Sequence, residues 1–282
     1  MILETPPSPV GQSDGMTLHS LFGRSKVVIG VVHLAPLPGA PRHDGQSVEA
    51  IYQRGLADTR AYLEGGLDGV IVENHGDVPF SKPDDIGPET SAHMAVAADR
   101  IRREFGKPIG INVLANAALP ALAIASAAGA GFIRVNQWAN AYVANEGLVE
   151  GEAARAMRYR AGLRANGVKI FADVHVKHGA HAIVGDRPIE EQVRDLAFFD
   201  ADAIIATGQR TGHAADIDYI RMIKKASHLP TLVGSGVTLD NVNDILGVVD
   251  GVIVASSLKV NGVWWNPVEP RRVRAFMTVL RR

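Results

Sequence analysis

Three side chains suited to proton transfer alternate near the end of one apolar run of the chain, at Asp173, His175 and Lys177. In an extended strand, residues two apart share a face, so this spacing predicts a carboxylate, an imidazole and an ammonium in one pocket. Such groups can divide the roles of acid, base and oxyanion stabiliser between them. The alternative is that Asp173 and Lys177 form an ion pair while His175 packs at the rim.

Other polar residues stand at the ends of neighbouring apolar runs. Glu73 is the predicted second catalytic carboxylate, and Arg134 is the predicted clamp for an anionic substrate. A Schiff-base mechanism is disfavoured, because the sixth run contains no lysine and leaves only Lys177 and Lys259 as candidates. The residues predicted to bind ligand are His33, Asn74, Asn112, Arg134, Asn136 and Thr207. Further polar residues at run ends, without an assigned role, are His75, Asp77, Gln209 and Arg210.

A glycine-containing segment, residues 231–240, is the strongest local signal for an anion. Gly234 and Gly236 let backbone amides approach a ligand closely, and a helix predicted to begin near Thr238 would turn its N-terminus to the same point. Glycine-rich loops also occur as plain tight turns, so the position of this loop in the fold matters. The residues predicted to bind phosphate are Gly234, Ser235, Gly236, Ser256 and Ser257. The expected ligand is a small phosphorylated molecule.

A divalent metal is a further hypothesis, although no cofactor is required by the sequence. The candidate ligands are His33, Glu73, Asp173 and His175, which would come from different strands. Magnesium or manganese suits a site dominated by carboxylates, and zinc is less favoured but could bind through the two histidines.

The elements that must position these residues follow one alternation repeated eight times. Apolar runs on which nearly every position is hydrophobic belong to parallel strands covered on both faces. Eight such runs, each followed by an amphipathic stretch, predict a (β/α)8 TIM barrel, since an open sheet would normally have fewer units. The predicted strands are residues 27–34, 69–74, 108–114, 132–136, 169–176, 202–208, 230–236 and 251–258. The predicted helices are residues 47–64, 88–105, 119–128, 151–166, 189–199, 216–225, 239–246 and 270–280.

This organisation predicts one barrel domain, residues 26–282, after a short N-terminal tail, residues 1–25. The tail lacks the basic start and apolar stretch of a signal peptide and is interrupted by proline and glycine, so it is interpreted as irregular. Barrels of this type carry their chemistry at the C-terminal ends of the strands, where the polar residues described above are concentrated.

Composition excludes several classes of function. The chain has 282 residues, 46% hydrophobic, with a formal net charge of −1, which argues against nucleic acid as a partner. It contains no cysteine, which excludes disulfides, thiolate nucleophiles and iron–sulfur clusters. The alanine-rich residues 117–132 are too few to span a bilayer, so membrane insertion is not expected and the predicted location is the cytoplasm. Trp264-Trp265 fits either internal packing or an interface in a homo-oligomer.

Several segments together resemble the BtpA/SgcQ family over residues 24–280. The segments are residues 31–39, 68–74, 110–114, 133–136, 172–178, 206–208 and 211–212. The resemblance implies a ribulose-phosphate-binding barrel. One branch of the family is named for photosystem I biogenesis in cyanobacteria, and another is associated with bacterial carbohydrate gene clusters. The resemblance implies no settled reaction.

Two functions of different classes therefore stand. The first is an enzyme of the isomerase, epimerase or lyase type, which binds a phosphorylated sugar or a similar metabolite and uses acid/base chemistry. The second is a non-catalytic assembly or regulatory factor that retains a ligand pocket. The polar residues predicted on the fifth strand favour the enzyme, because a protein that only binds a ligand would not need them.

Overall fold

Within residues 16–208 and 216–280, which the computed structural model describes, the chain forms ten strands. Eight of them close into a parallel barrel in the order β1-β2-β3-β4-β7-β8-β9-β10, with β10 pairing to β1, so the predicted barrel is confirmed. Each barrel strand ends before the C-terminal end of its predicted run. The strands are β1 (Val27–His33), β2 (Gly69–Glu73), β3 (Ile109–Asn112), β4 (Phe132–Val135), β5 (Ala141–Ala144), β6 (Gly147–Glu150), β7 (Lys169–Val174), β8 (Ala203–Ala206), β9 (Thr231–Val233) and β10 (Gly251–Val254).

One helix follows each barrel strand, and helix ends carry the residues that their termini require. The Ser47 side chain accepts a hydrogen bond from the Ala50 amide and caps α2, whereas Gly106 and Gly129 close α3 and α4 in the left-handed conformation. The helices are α1 (Met16–Phe22), α2 (Val48–Glu64), α3 (Pro88–Phe105), α4 (Ala118–Ala128), α5 (Ala153–Gly162), α6 (Ile189–Phe198), α7 (Ile217–Ala226), α8 (Val242–Leu246) and α9 (Pro270–Val279).

The barrel interior is filled at its N-terminal end and open at its C-terminal end. The rings of Phe132 and Phe171 stack inside the barrel with centroids 4.5 Å apart. Gly110 has no space for a side chain there, because a Cβ atom would lie 2.3 Å from the Phe132 ring. A larger apolar layer lies between the barrel and its helices. The open C-terminal end is lined by polar side chains that include His33, Glu73 and Arg134.

Part of the predicted tail is a helix, α1, that covers the N-terminal end of the barrel. Leu18 is fully buried with the interior residues, and the Phe22 ring meets the Phe132 ring edge-on at 5.8 Å. The expectation of an irregular segment is thus wrong for Met16–Phe22. Seven residues are too few to form a stable helix alone, so packing against the barrel decides this element.

A second unpredicted element is the β5–β6 hairpin, which lies between β4 and α5. Val143 of the hairpin exchanges two backbone hydrogen bonds with Ala180 of the segment after β7, at 3.0 and 2.8 Å. The hairpin is thereby fastened beside the C-terminal mouth, where it adds one wall to the pocket.

Across the described ranges, no helix combines the length and apolar character needed to cross a bilayer. The alanine-rich segment forms α4, which packs against α3 and buries one of its faces.

Candidate functional site

Strand register brings three polar residues side by side at the mouth of the barrel. His33 pairs with Glu73 across β1 and β2, and Glu73 pairs with Asn112 across β2 and β3. All three are less than a tenth exposed. His75, two residues beyond the end of β2, turns back toward the same carboxylate.

Glu73 is the centre of this cluster. Its Oε1 atom lies 2.8 Å from Nδ1 of His75 and 3.7 Å from Nε2 of His33, while its Oε2 atom accepts a hydrogen bond from Asn112 Nδ2 at 2.7 Å. The two imidazole rings stack with centroids 4.4 Å apart. His33 Nδ1 lies 3.0 Å from the carbonyl oxygen of Trp264, which fixes the orientation of the ring.

Burial and mutual contact set the charges of the cluster. Burial, with the neighbouring His75, lowers the pKa of His33 to about 3, so its imidazole is neutral at physiological pH. Burial alone would raise the pKa of Glu73, but the hydrogen bond from His75 and the nearby positive groups outweigh it and hold the pKa well below its usual range. Glu73 is therefore a buried carboxylate that stays ionised.

Asp173 has a different partner from the one that its spacing predicts. Its carboxylate accepts two hydrogen bonds from the Arg134 guanidinium, at 3.0 and 2.9 Å, and a third from Asn136 at 3.2 Å. The pair is almost fully buried, and proximity to Asp173 keeps the pKa of Arg134 above its usual value although burial opposes this. Asp173 and Arg134 hold each other in the pocket wall, and the predicted alternative of an Asp173–Lys177 ion pair is not formed.

His175 does not share a face with Asp173 and Lys177, so that part of the prediction is wrong. Strand β7 ends at Val174, and His175 has a φ of 48°, which breaks the period-two alternation. Its ring stacks instead on His181, with centroids 4.4 Å apart, and lies near Tyr219 of α7. His175 lines neither of the two cavities described below.

Lys177 does reach the pocket, where it lines the wall together with Glu73 and Arg134. Burial, strengthened by the adjacent Arg134, lowers the pKa of the Lys177 amine. The amine is close enough to feel both Glu73 and Asp173 without an ion-pair contact to either among the described residues. Lys177 thus lies in the wall of both cavities, and its catalytic role stays a prediction.

Two predicted ligand-binding residues have their side chains engaged in loop contacts. Asn74 bonds to Asp77 and to both backbone groups of Leu114. Thr207 Oγ1 accepts from the Lys177 amide at 3.0 Å and donates to the His175 carbonyl at 3.1 Å. Both residues therefore position the loops of the mouth. The predicted site neighbours Gln209 and Arg210 lie outside the described residues.

The predicted phosphate loops line the same cavity as the Glu73 cluster. Gly236 adopts a φ of +67°, which explains glycine at this position. The N–H groups of Gly236 and Val237 make no hydrogen bond to the described residues. Ser257 of the loop after β10 donates its hydroxyl to the Val237 carbonyl at 2.8 Å and joins the two loops. The predicted residues Ser235 and Ser256 also line this cavity.

The predicted helix N-terminus at this loop is absent from its expected place. Helix α8 begins at Val242, and the Thr238 amide donates to Asn241 Oδ1 at 2.8 Å instead of facing the cavity unpaired. Gly234 is needed for packing, because a Cβ atom would lie 2.7 Å from Ile205 and 3.3 Å from Arg134. Anion binding here would thus rest on loop amides and nearby cations, without a helix terminus.

Two adjoining cavities open at the mouth and share Glu73, His75, Arg134 and Lys177. The first is lined by the phosphate loops. The second is lined by Tyr142, Ala144 and Asn145 of the β5–β6 hairpin. A third cavity beside His33 is lined by Arg42, Arg54, Trp264 and Trp265.

Three residues at this mouth have contacts that the sequence did not predict. His75 and Trp264 complete the surroundings of His33, and Tyr142 arrives on the unpredicted hairpin. The signal for His75 was its place directly after the second run, whereas Trp264 lies 231 residues from His33 in sequence and gave none. Lys259, the other Schiff-base candidate, is fully buried and pairs with Asp58 at 3.3 Å.

Only part of the predicted metal set comes together. Among the described residues, His33, Glu73 and His75 each offer one ligand atom, and these atoms lie within 4.8 Å of one another. Asp173 and His175 are not members of this group, because the first binds Arg134 and the second faces His181.

Fold and site together define a (β/α)8 barrel with a polar, partly buried pocket at the C-terminal ends of its strands. The chain belongs to the BtpA family, whose model matches residues 24–282.

Relatives extend over nearly the whole chain. An uncharacterised protein of Archaeoglobus fulgidus is 43% identical over 249 residues, which cover 88% of this chain and 96% of the relative. The photosystem I biogenesis protein BtpA of Synechocystis is 39% identical over 272 residues, covering 94% and 91% of the two chains. An uncharacterised mitochondrial protein of Caenorhabditis elegans is 37% identical over 256 residues, covering 89% of this chain and 91% of the relative.

Solved structures share the fold at low sequence identity. Thiamine phosphate pyrophosphorylase from Pyrococcus furiosus superposes with a TM-score of 0.55 and 15% identity, over 90% of this chain and 95% of that one. N-(5'-phosphoribosyl)anthranilate isomerase from the same organism gives a TM-score of 0.53 and 13% identity, over 90% and 98%.

Proposed function

We propose that the protein is a barrel enzyme that binds a small phosphorylated metabolite, such as a sugar phosphate, and transforms it by acid/base chemistry. One observation carries the proposal: the glycine loop at Gly236, the hydrogen-bonded Glu73–His75 pair and Lys177 line the same cavity. A ligand held by its phosphate at the loop would present its carbon skeleton to the carboxylate and the imidazole.

At the end of the cavity near Gly236, backbone N–H groups and cationic side chains could bind a phosphate. The N–H groups of Gly236 and Val237 are available as donors among the described residues, and a glycine lets a ligand approach the backbone closely. Lys177 and Arg134 provide positive charge on the same wall. This combination favours a phosphate monoester over a neutral ligand.

The proposed proton transfer at the other end of the cavity involves Glu73, His75 and Lys177. An ionised, buried carboxylate hydrogen-bonded to an imidazole can take up and return a proton, and an ammonium nearby can stabilise a developing oxyanion. Asp173 is a positioning residue in this proposal, because its carboxylate holds the Arg134 guanidinium with two hydrogen bonds. His175 has no part in it.

The comparisons lend support by analogy of fold alone. Two proteins of the same fold are, by name, a thiamine phosphate pyrophosphorylase and a phosphoribosylanthranilate isomerase, and both names contain a phosphorylated compound. The BtpA protein of Synechocystis instead favours the second candidate, an assembly or regulatory factor that binds a ligand without transforming it.

Ligand-induced thermal stabilisation tests the phosphate site. We expect sugar phosphates to raise the melting temperature of the full chain, whereas the same sugars without phosphate leave it unchanged. Gly236→Asp should abolish the effect, because aspartate tolerates a left-handed backbone but places negative charge where the phosphate would bind. Gly236→Asn keeps the shape without the charge and should retain more of the shift.

Gly106→Asp is the matched control, because Gly106 has a φ of +61° at the end of α3 and open space around it. A phosphate-dependent shift that survives in Gly236→Asp, or the absence of any shift, would refute the phosphate site. With a binding compound in hand, turnover that Glu73→Gln removes while binding persists identifies an enzyme. Binding without turnover identifies the ligand-binding factor.

A further inference from the structure

His33, Glu73 and His75 place two imidazole nitrogens and a carboxylate oxygen within 4.8 Å of one another in the wall of the cavity. We propose that this cluster is a binding site for a first-row divalent transition metal ion, with Zn²⁺ as its best-matched occupant. The site shares Glu73 and His75 with the proposed acid/base pair, and with metal bound these side chains would act as ligands, the proton between them being released. The site does not depend on the proposed function, because bound metal is measured without a phosphorylated ligand.

The orientation of His33 is the first argument. Its Nδ1 atom lies 3.0 Å from the carbonyl oxygen of Trp264, and a carbonyl can only accept, so Nδ1 carries the hydrogen. The other ring nitrogen, Nε2, is directed toward Glu73 Oε1, which lies 3.7 Å away, beyond hydrogen-bond distance. A cation between these two buried atoms could bind both of them.

The surroundings of Glu73 are the second argument. Asn112 donates to Oε2 at 2.7 Å and fixes the plane of the carboxylate, which leaves Oε1 directed at both histidines. Metal-bound histidines and carboxylates are commonly held in this way by a backbone carbonyl or an amide behind the ligands. Trp264 and Asn112 supply such support for His33 and Glu73.

The spacing of the ligand atoms is the third argument. Zinc bonds of 2.0–2.1 Å in tetrahedral geometry place neighbouring ligand atoms roughly 3.3 Å apart. The distances from Glu73 Oε1 to the two imidazole nitrogens are 2.8 and 3.7 Å, one on each side of that value. Three protein ligands leave a coordination position free, and here it would face the cavity that contains the phosphate loops.

The donor set also selects among ions. Two imidazoles and one carboxylate suit zinc and its first-row neighbours, whereas magnesium prefers oxygen ligands. The sequence favoured magnesium or manganese because the candidate ligands included two carboxylates, Glu73 and Asp173. Because Asp173 binds Arg134 instead, the ligands that remain are two imidazole nitrogens and one carboxylate oxygen, and this set favours zinc.

Direct measurement of bound metal tests the site. The full chain, stripped with a chelator and dialysed against Zn²⁺ or Mg²⁺, is expected to retain about one equivalent of zinc and no stoichiometric magnesium. His33→Ala, Glu73→Gln and His75→Ala should each weaken zinc binding by more than about tenfold. His93→Ala is the matched control, because His93 contacts Tyr52 away from the cluster, and it should bind zinc like the wild type.

A second measurement does not depend on the folding of ligand variants. The Trp264 ring lies 4.3 Å from the His75 ring, so paramagnetic Co²⁺ at the site should quench its fluorescence, and added Zn²⁺ should restore it. Trp264→Phe combined with Trp265→Phe keeps the Trp264 carbonyl and should remove most of the quenched signal, because the two rings are only 5.2 Å apart and both lie near the site. Substoichiometric zinc in the wild type, retention of zinc by Glu73→Gln, or undiminished quenching in the double tryptophan variant would overturn the site. Each outcome is obtained without a phosphorylated ligand, so it is separate from the test of the phosphate loop.

Discussion

At the scale of single residues, the contacts that a side chain makes in the fold decide its role more than its residue type does. Asp173 has the side chain of a general base, but three hydrogen bonds engage its carboxylate and two of them come from Arg134. His175 has the side chain of a proton shuttle, but a left-handed backbone turns it toward His181. Glu73 has the surroundings of a reactive group, because nitrogen atoms of His33 and His75 both lie near its Oε1 atom.

Removing Asp173 should damage the fold as well as any activity. Asp173→Ala leaves the Arg134 guanidinium buried without its counter-charge, and we expect the free energy of unfolding to fall by about 3–5 kcal/mol. Replacing both residues, as Arg134→Met with Asp173→Leu, should restore much of this loss, since the unpaired charge is then absent. Chemical denaturation measures both effects.

The exposed pair of Arg221 and Asp218 provides the control for that comparison. Asp218→Ala should change stability little, because exposed ion pairs contribute little. If Asp173→Ala were as stable as Asp218→Ala, the buried pair would not have the structural role assigned to it.

His175 should make stability depend on pH. Burial, with His181 nearby, lowers the pKa of His175 in the folded protein, whereas the unfolded chain titrates near the ordinary value of about 6.5. As the pH falls below that value, the unfolded state takes up a proton that the folded state does not, so acid favours unfolding. Urea midpoints at about pH 7 and pH 5 should therefore fall further for the wild type than for His175→Phe. Equal losses in the two proteins would show that His175 does not contribute.

At the scale of elements, regular units were predictable and inserted units were not. Strands and helices of the barrel have apolar periodicities that a local window reveals, and helix ends such as Gly106 carry their own signals. Helix α1 and the β5–β6 hairpin are short, and each is stabilised by contacts with distant segments. No local pattern could report those contacts.

Helix α1 should contribute substantially to stability. Leu18 is fully buried at the N-terminal end of the barrel, so Leu18→Ala should lower the free energy of unfolding by about 2–5 kcal/mol. Met16→Ala in the same helix is the control, because Met16 is 49% exposed and should matter little. Guanidinium denaturation compares the two variants, and equal midpoints would mean that α1 does not seal the barrel in solution.

At the scale of the whole molecule, closure of the barrel creates the pocket. The pairing of β10 with β1 brings the loop after β10 beside the loop after β1, so Trp264 meets His33 and His75. The same closure places the glycine loop after β9 across from Glu73 on β2. Phosphate loop, carboxylate and imidazoles therefore share a cavity although they are far apart in the chain.

The amino-acid sequence by itself determined the barrel, the family and the end of the barrel at which polar residues gather. It could do so because apolar periodicity, glycine at helix ends and polar residues after strands are local properties of the chain. Only the tertiary structure decided that Asp173 binds Arg134, that His175 turns away, and that His75 joins His33 and Glu73. Those choices depend on strand register, on one left-handed residue and on distances between remote segments, because interaction energies follow spatial distance and not position in the sequence.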